Sequence, residues 1–133
     1  MMIRTADSTA GFSVRINEKY GHYPTRKIRV YHNTWVNNYE VGLKTDDPWL
    51  INTVERNRSG GYTEIILNKP VEELDFTIMR NDSIPQWFEL YGIELLADEP
   101  GIIYSSIGVN GASIPSFLKC NLFEKQMEVL QPD

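Results

Sequence analysis

Between residues 11 and 96 the apolar positions recur at every second residue. Phe12, Val14 and Ile16 alternate with Ser13, Arg15 and Asn17, and Ile28 and Val30 alternate with Arg29 and Tyr31. A period of two gives a strand one apolar face and one wet face. Further runs follow at Tyr39 to Leu43, Leu50 to Val54, Thr63 to Asn68 and Leu74 to Arg80, the last with Leu74, Phe76 and Ile78 on one side. Turn chemistry separates them at Tyr20-Gly21, Asp46-Asp47-Pro48, Asn57-Arg58-Ser59-Gly60-Gly61, Asn68-Lys69-Pro70 and Asn81-Asp82-Ser83. Such residues supply positive φ, a preset φ or local side-chain hydrogen bonds, so each cluster predicts a reversal. Short strands punctuated in this way predict an antiparallel β-sandwich.

The run from Trp87 to Leu96 changes phase at Gly92. Phe88 and Leu90 share one parity, Ile93 and Leu95 the other. A bulge at Gly92 returns all four to one face, because one extra residue cancels the slip.

After Asp98-Glu99-Pro100-Gly101 the pattern changes. Ile102 to Ile107 reads as a strand with little alternation, Gly108 to Ala112 as a loop, and Ser113 onward as a helix. Ser113 is a suitable N-cap and Pro115 falls in the first turn, where its missing N–H is harmless. The helix is expected to reach about Leu130. Ile114, Phe117, Leu118 and Leu122 form one apolar stripe, and Cys120, Phe123, Met127 and Leu130 another nearly opposite. A helix apolar on two sides expects cover on two sides. A strand, loop, helix and Pro132 exit amount to a βα unit whose next parallel strand should follow. The chain is therefore expected to be a fragment cut inside an α/β domain, with the sandwich before it.

Composition then narrows the functions. The 133 residues suit one core, and 41% hydrophobic with 23% charged residues excludes wholesale disorder. Thirteen basic against 18 acidic residues, net charge −5, argue against nucleic acid as a partner. No apolar stretch approaches the ~20 residues of a membrane span, and Met1-Met2-Ile3-Arg4 does not open a secretory leader. Any export signal is expected outside this chain. Cys120 alone excludes an internal disulfide or a cysteine-based zinc cluster, and His22 and His32 lack metal-ligand spacing, so neither metal nor cofactor is expected.

The segment Ser106-Ile107-Gly108-Val109-Asn110-Gly111-Ala112, followed by a helix and Pro132-Asp133, resembles the second sequence block of SGNH (GDSL-type) hydrolases. The resemblance implies that Gly108 is the first glycine of that block and that Gly111 gives a backbone N–H to the oxyanion hole. A donor of this kind, removed, costs roughly 3 to 4 kcal/mol of transition-state stabilisation. The Gly-Asp-Ser, G-x-N-D and D-x-x-H blocks are absent from this sequence, so the chain alone is expected to be inactive as an esterase.

A sandwich ahead of the second block resembles the bacterial carbohydrate O-acetylesterases that carry a carbohydrate-binding-like insert. Phe88 to Leu95 resembles the closing strand of jelly-roll, galactose-binding-like modules. The division implied is a sandwich over residues 1–98 and a strand-loop-helix piece of the hydrolase over residues 99–133. The partner implied is a polysaccharide or peptidoglycan-type ligand, and the location implied is secreted or cell-envelope. A stand-alone binding module, whose apolar C-terminal helix docks on a partner or a second copy, is the rival reading.

Several aromatics flank predicted turns. A loop-borne Trp or Tyr offers a flat apolar face to a sugar ring while nearby Asn and Asp bond its hydroxyls. Trp49 and Trp35, with Tyr39, are the candidate binding residues; the bland alternative is that they close the ends of the core. Asp46, Asp47 and Glu55 lack the spacing of a calcium loop. His32 sits at the inward parity of its strand and reads as a partly buried, hydrogen-bonded histidine, or else as the base of a small enzyme that pairs it with a carboxylate.

Overall fold

A computed structural model describes residues 3–15, 23–36, 38–97, 119 and 123–130. Among these, eight strands and one helix are present: β1 (Ile3–Thr5), β2 (Thr9–Arg15), β3 (Thr25–His32), β4 (Tyr39–Leu43), β5 (Ile51–Asn57), β6 (Tyr62–Val71), β7 (Glu73–Arg80), β8 (Phe88–Leu96) and α1 (Phe123–Leu130). One sheet has the order β1-β8-β3-β6-β5 and the other β2-β7-β4, with every neighbouring pair antiparallel. Successive strands from β1 to β5 lie in alternate sheets, which gives the antiparallel β-sandwich the alternation predicts. β5 stays beside β6 through a tight hairpin instead of lengthening the smaller sheet.

Period-two patterning selects the core. Ile28 and Val30 of β3, Ile65 and Leu67 of β6 and Phe88 of β8 face Tyr39 and Val41 of β4 and Leu74, Phe76 and Ile78 of β7. Phe12 stacks on Phe76 at 4.6 Å between centroids, extending the contact to β2. Removing one of the large buried rings, such as Phe88, costs about 3–5 kcal/mol.

The bulge stands where the phase change places it. Tyr31 pairs with Gly92 and His32 with Leu90, so Tyr91 has no partner on β3. Phe88, Leu90, Ile93 and Leu95 all reach the core as a result. The β5–β6 turn also forms at the predicted glycines: Gly61 has φ 72°, a conformation open to glycine without steric cost. The Asn57 side-chain oxygen accepts from the Gly60 N–H at 2.8 Å.

Two expectations need correction. Asn68-Lys69-Pro70 does not reverse the chain; β6 continues to Val71, which pairs with Thr25. Between that pair and Lys27↔Ile66 a single β3 residue, Arg26, opposes Leu67 to Pro70, so the missing Pro70 N–H falls in an unpaired stretch. The helix expected to run unbroken from Ser113 does not, since Lys119 lies in a turn and α1 starts at Phe123. In α1, Glu124, Lys125 and Glu128 are exposed while Met127 and Val129 are half-buried. His22, Gly108, Gly111 and Cys120 lie outside the described residues, as do residues 99–118.

Candidate functional site

Strand parity that buries one face of β8 puts Trp87, Glu89 and Tyr91 on the other. The outer face of the five-stranded sheet is therefore aromatic and charged. Arg4 pairs across with Glu89 and lays its guanidinium over the Trp87 ring at 4.7 Å. Tyr91, displaced by the bulge, meets Trp35 from the loop after β3, with centroids 6.3 Å apart and ring planes 30° from parallel. Its hydroxyl donates to Glu89 Oε2 at 2.9 Å. Trp35 is 59% exposed and Trp87 51%, so flat apolar surface stands open to solvent beside fixed carboxylate oxygens.

The face continues toward β6. Arg29 Nε donates to Glu64 at 2.9 Å and Nη1 to Glu94 at 3.2 Å, and the guanidinium lies 5.3 Å from the Tyr62 ring. Tyr31 OH donates to the same Glu94 oxygen at 3.2 Å and its ring meets Tyr62 edge-on. Burial pulls the Arg29 pKa down, but the Glu64 hydrogen bond and the two carboxylate charges outweigh it and leave it above its ordinary value. Burial and the Glu94 charge push the Tyr31 phenol up to about 12, and burial with the Glu89 bond raises Tyr91 as well. Both phenols are hydrogen-bond donors at neutral pH. Beyond Tyr62 a depression of about 560 Å³ is lined by Glu55, Asn57, Arg58, Ser59 and Glu64.

Of the three predicted binding residues, only Trp35 belongs to this face. Tyr39 is 1% exposed: it opens β4 facing inward, packs on Phe88 at 5.7 Å and donates its hydroxyl to the Gln86 carbonyl at 2.9 Å and the Asp7 carbonyl at 3.2 Å. A ring so covered has no face to offer a ligand, and its role is structural. Trp49 is 79% exposed but lies at the other end of the sandwich. Its carbonyl accepts from the Asn68 side chain at 2.7 Å, near the Leu67 end of β6, whereas Trp35 lies near the Tyr62 end. Tyr62 was legible as an aromatic flanking the Gly60-Gly61 turn, whereas Tyr31, Tyr91, Trp87, Arg4, Arg29 and the carboxylates were not singled out in the sequence. Their signal was the polar half of the alternation, which reads as ordinary solvated surface.

A second opening, about 470 Å³, lies where β4 and β5 part at the open edge between the sheets, lined by Glu40, Val41, Val54, Arg56 and Thr63. Arg56 spans it, donating to the Val36 carbonyl at 3.3 Å and to the Tyr39 carbonyl. Behind Thr63, His32 is 1% exposed, its Nε2 2.7 Å from Thr63 Oγ1 and its ring stacked on Phe88. Burial, then the Arg56 charge, lowers its pKa to about 4. Its Nδ1 has no partner among the described residues, so no carboxylate orients the ring as a catalytic base requires. Among the described residues no three His, Cys, Asp or Glu side chains come close enough to hold a metal ion. Asp47 instead pairs with Lys69 at 2.5 Å, and Asp82 accepts from Asn38 and the Ile84 N–H.

These observations define a β-sandwich with an aromatic, hydrogen-bonding outer face. No helix among the described residues is long and apolar enough to cross a membrane. Comparison with protein-family models, curated proteins and solved structures finds no match to the chain.

Proposed function

We propose that the sandwich is a carbohydrate-binding module that holds a polysaccharide or peptidoglycan-type glycan on the outer face of its larger sheet. The observation that carries this reading is the Trp35–Tyr91 pair. The exposed Trp35 ring, held within 30° of parallel to the half-buried Tyr91 ring with Glu89 fixed beside them, suits a pyranose: the apolar C–H face of the sugar packs on the indole and its hydroxyls bond to the carboxylate. Most of these groups sit on strands, so their ordering cost is met on folding, which favours affinity. The module would present substrate to an SGNH-type esterase whose oxyanion hole includes Gly111. That half of the proposal rests on the resemblance of Ser106 to Ala112, which lie outside the described residues.

The test is titration of intrinsic tryptophan fluorescence with chitin-, xylan- and cellulose-series oligosaccharides and with peptidoglycan fragments. A saturable change in the parent is expected, with the component due to the Trp35 face lost in Trp35→Ala and in Tyr91→Ala. No response to any of these glycans overturns the reading.

A further inference from the structure

Trp49 lies apart from the Trp35 face and is the most exposed large apolar side chain among the described residues. We infer that Trp49 forms a second glycan-contacting site, independent of the Trp35 face, so that each chain is bivalent toward a polysaccharide. This rests on the proposed carbohydrate-binding function and extends it.

An exposed indole on a mobile loop is unremarkable, but this one is held from both sides. The Trp49 N–H donates to Asp47 Oδ1 at 3.0 Å, and the Leu50 N–H donates to the Asp47 carbonyl at 3.2 Å. The Asn68 side chain donates to the Trp49 carbonyl at 2.7 Å, and Lys69 clamps the same Asp47 from β6. Four polar contacts thus fix a backbone whose side chain is 79% exposed. Trp35 lies against Tyr91 and Trp87 lies under Arg4, whereas no ring or cation among the described residues stacks on Trp49. A flat, exposed ring on a fixed backbone, with Asp46, Asn68 and Lys69 exposed on the same loop and the strand that holds it, offers the apolar and polar chemistry of the Trp35 face.

Distance makes the sites separate. Trp49 lies at the Arg26 end of β3 and Trp35 beyond its His32 end, so about 20 Å of strand stands between them at ~3.3 Å per residue. A short oligosaccharide occupies one site. A polymer, or two polymer chains held together, engages both, and linked binding gains affinity without any new contact.

The experiment uses the full chain as the parent and as Trp35→Ala, Trp49→Ala, Trp49→Phe and the double alanine variant. Calorimetric stoichiometry is measured with the short oligosaccharide that binds best, and retention with the insoluble polymer of the same sugar. Expected are two sites per parent chain and one per single alanine variant. Polymer retention should fall at least tenfold in Trp49→Ala and recover in part in Trp49→Phe. One site per parent chain, with Trp49→Ala retained like the parent, overturns the second site and leaves the Trp35 face standing. A parent that binds no glycan overturns both.

Discussion

The ring of Trp35 lies against that of Tyr91 because β8 carries one residue more than β3 can pair. His32 opposes Leu90 and Tyr31 opposes Gly92, so Tyr91 leaves the ladder and reaches the loop that bears Trp35. The bulge corrects the phase of the apolar residues and, by the same extra residue, builds the aromatic pair. Bulges re-aim side chains in this way beside functional surfaces.

Deleting Tyr91 should leave the fold intact. Without it, Leu90, Gly92, Ile93 and Glu94 alternate regularly, and Ile93 and Leu95 keep their inward faces. Urea unfolding should be cooperative and within about 2 kcal/mol of the parent, the range of a local change that opens no core cavity. Oligosaccharide titration should show the loss of the Trp35 site. Gly92→Ala should be close to neutral in stability, since a Cβ there meets nothing within 4 Å and its φ is not positive. A deletion that unfolds would show that the sheet needs the bulge for its twist.

His32 should make the sandwich acid-sensitive. Its folded pKa of about 4 lies below the ordinary 6.5, so between those values the unfolded chain binds the proton and the folded chain does not. Stability from this group is complete above pH 6.5, falls as the pH drops toward 4, and levels off below that. The loss is on the order of 3 kcal/mol. Urea unfolding at pH 7.5 and pH 4.5 should show a smaller difference in His32→Gln than in the parent. An equal difference would place the acid sensitivity elsewhere.

Removing two arginines should have effects of very different size. Arg29 holds Glu64 and Glu94, all three side chains more than three-quarters buried, and Arg29→Met leaves two carboxylates partly desolvated and unpaired. We expect a loss of about 2–4 kcal/mol, partly recovered by adding Glu94→Gln. Arg15→Met removes only an exposed pair with Glu73 at 3.7 Å and should change stability by less than about 1 kcal/mol. Chemical denaturation of the three variants reads both values.

Much of the fold was legible because strand burial follows a period of two. Ile28, Val30, Leu74, Phe76 and Ile78 announced their faces. Gly92 announced the bulge, and Gly60-Gly61 the hairpin. The candidate site was less legible. Tyr39 beside Asn38 read as a loop aromatic, yet it opens a strand on the inward parity and is covered by Phe88. Trp35 and Trp49 read as equivalent, and long-range pairing set them at opposite ends.

What the sequence alone determined is local: which residues are strand, which face of each strand is apolar, and where turns require glycine. These follow from short-range sterics and from the cost of leaving apolar side chains in water. The tertiary structure decided which strands became neighbours. Pairing β8 with both β1 and β3 brought Arg4, Trp87, Tyr91, Arg29 and Glu94 onto one surface across as many as 90 residues of chain. Alternation states that a residue faces outward but not what stands beside it, because lateral neighbours depend on strand order, which no local period encodes.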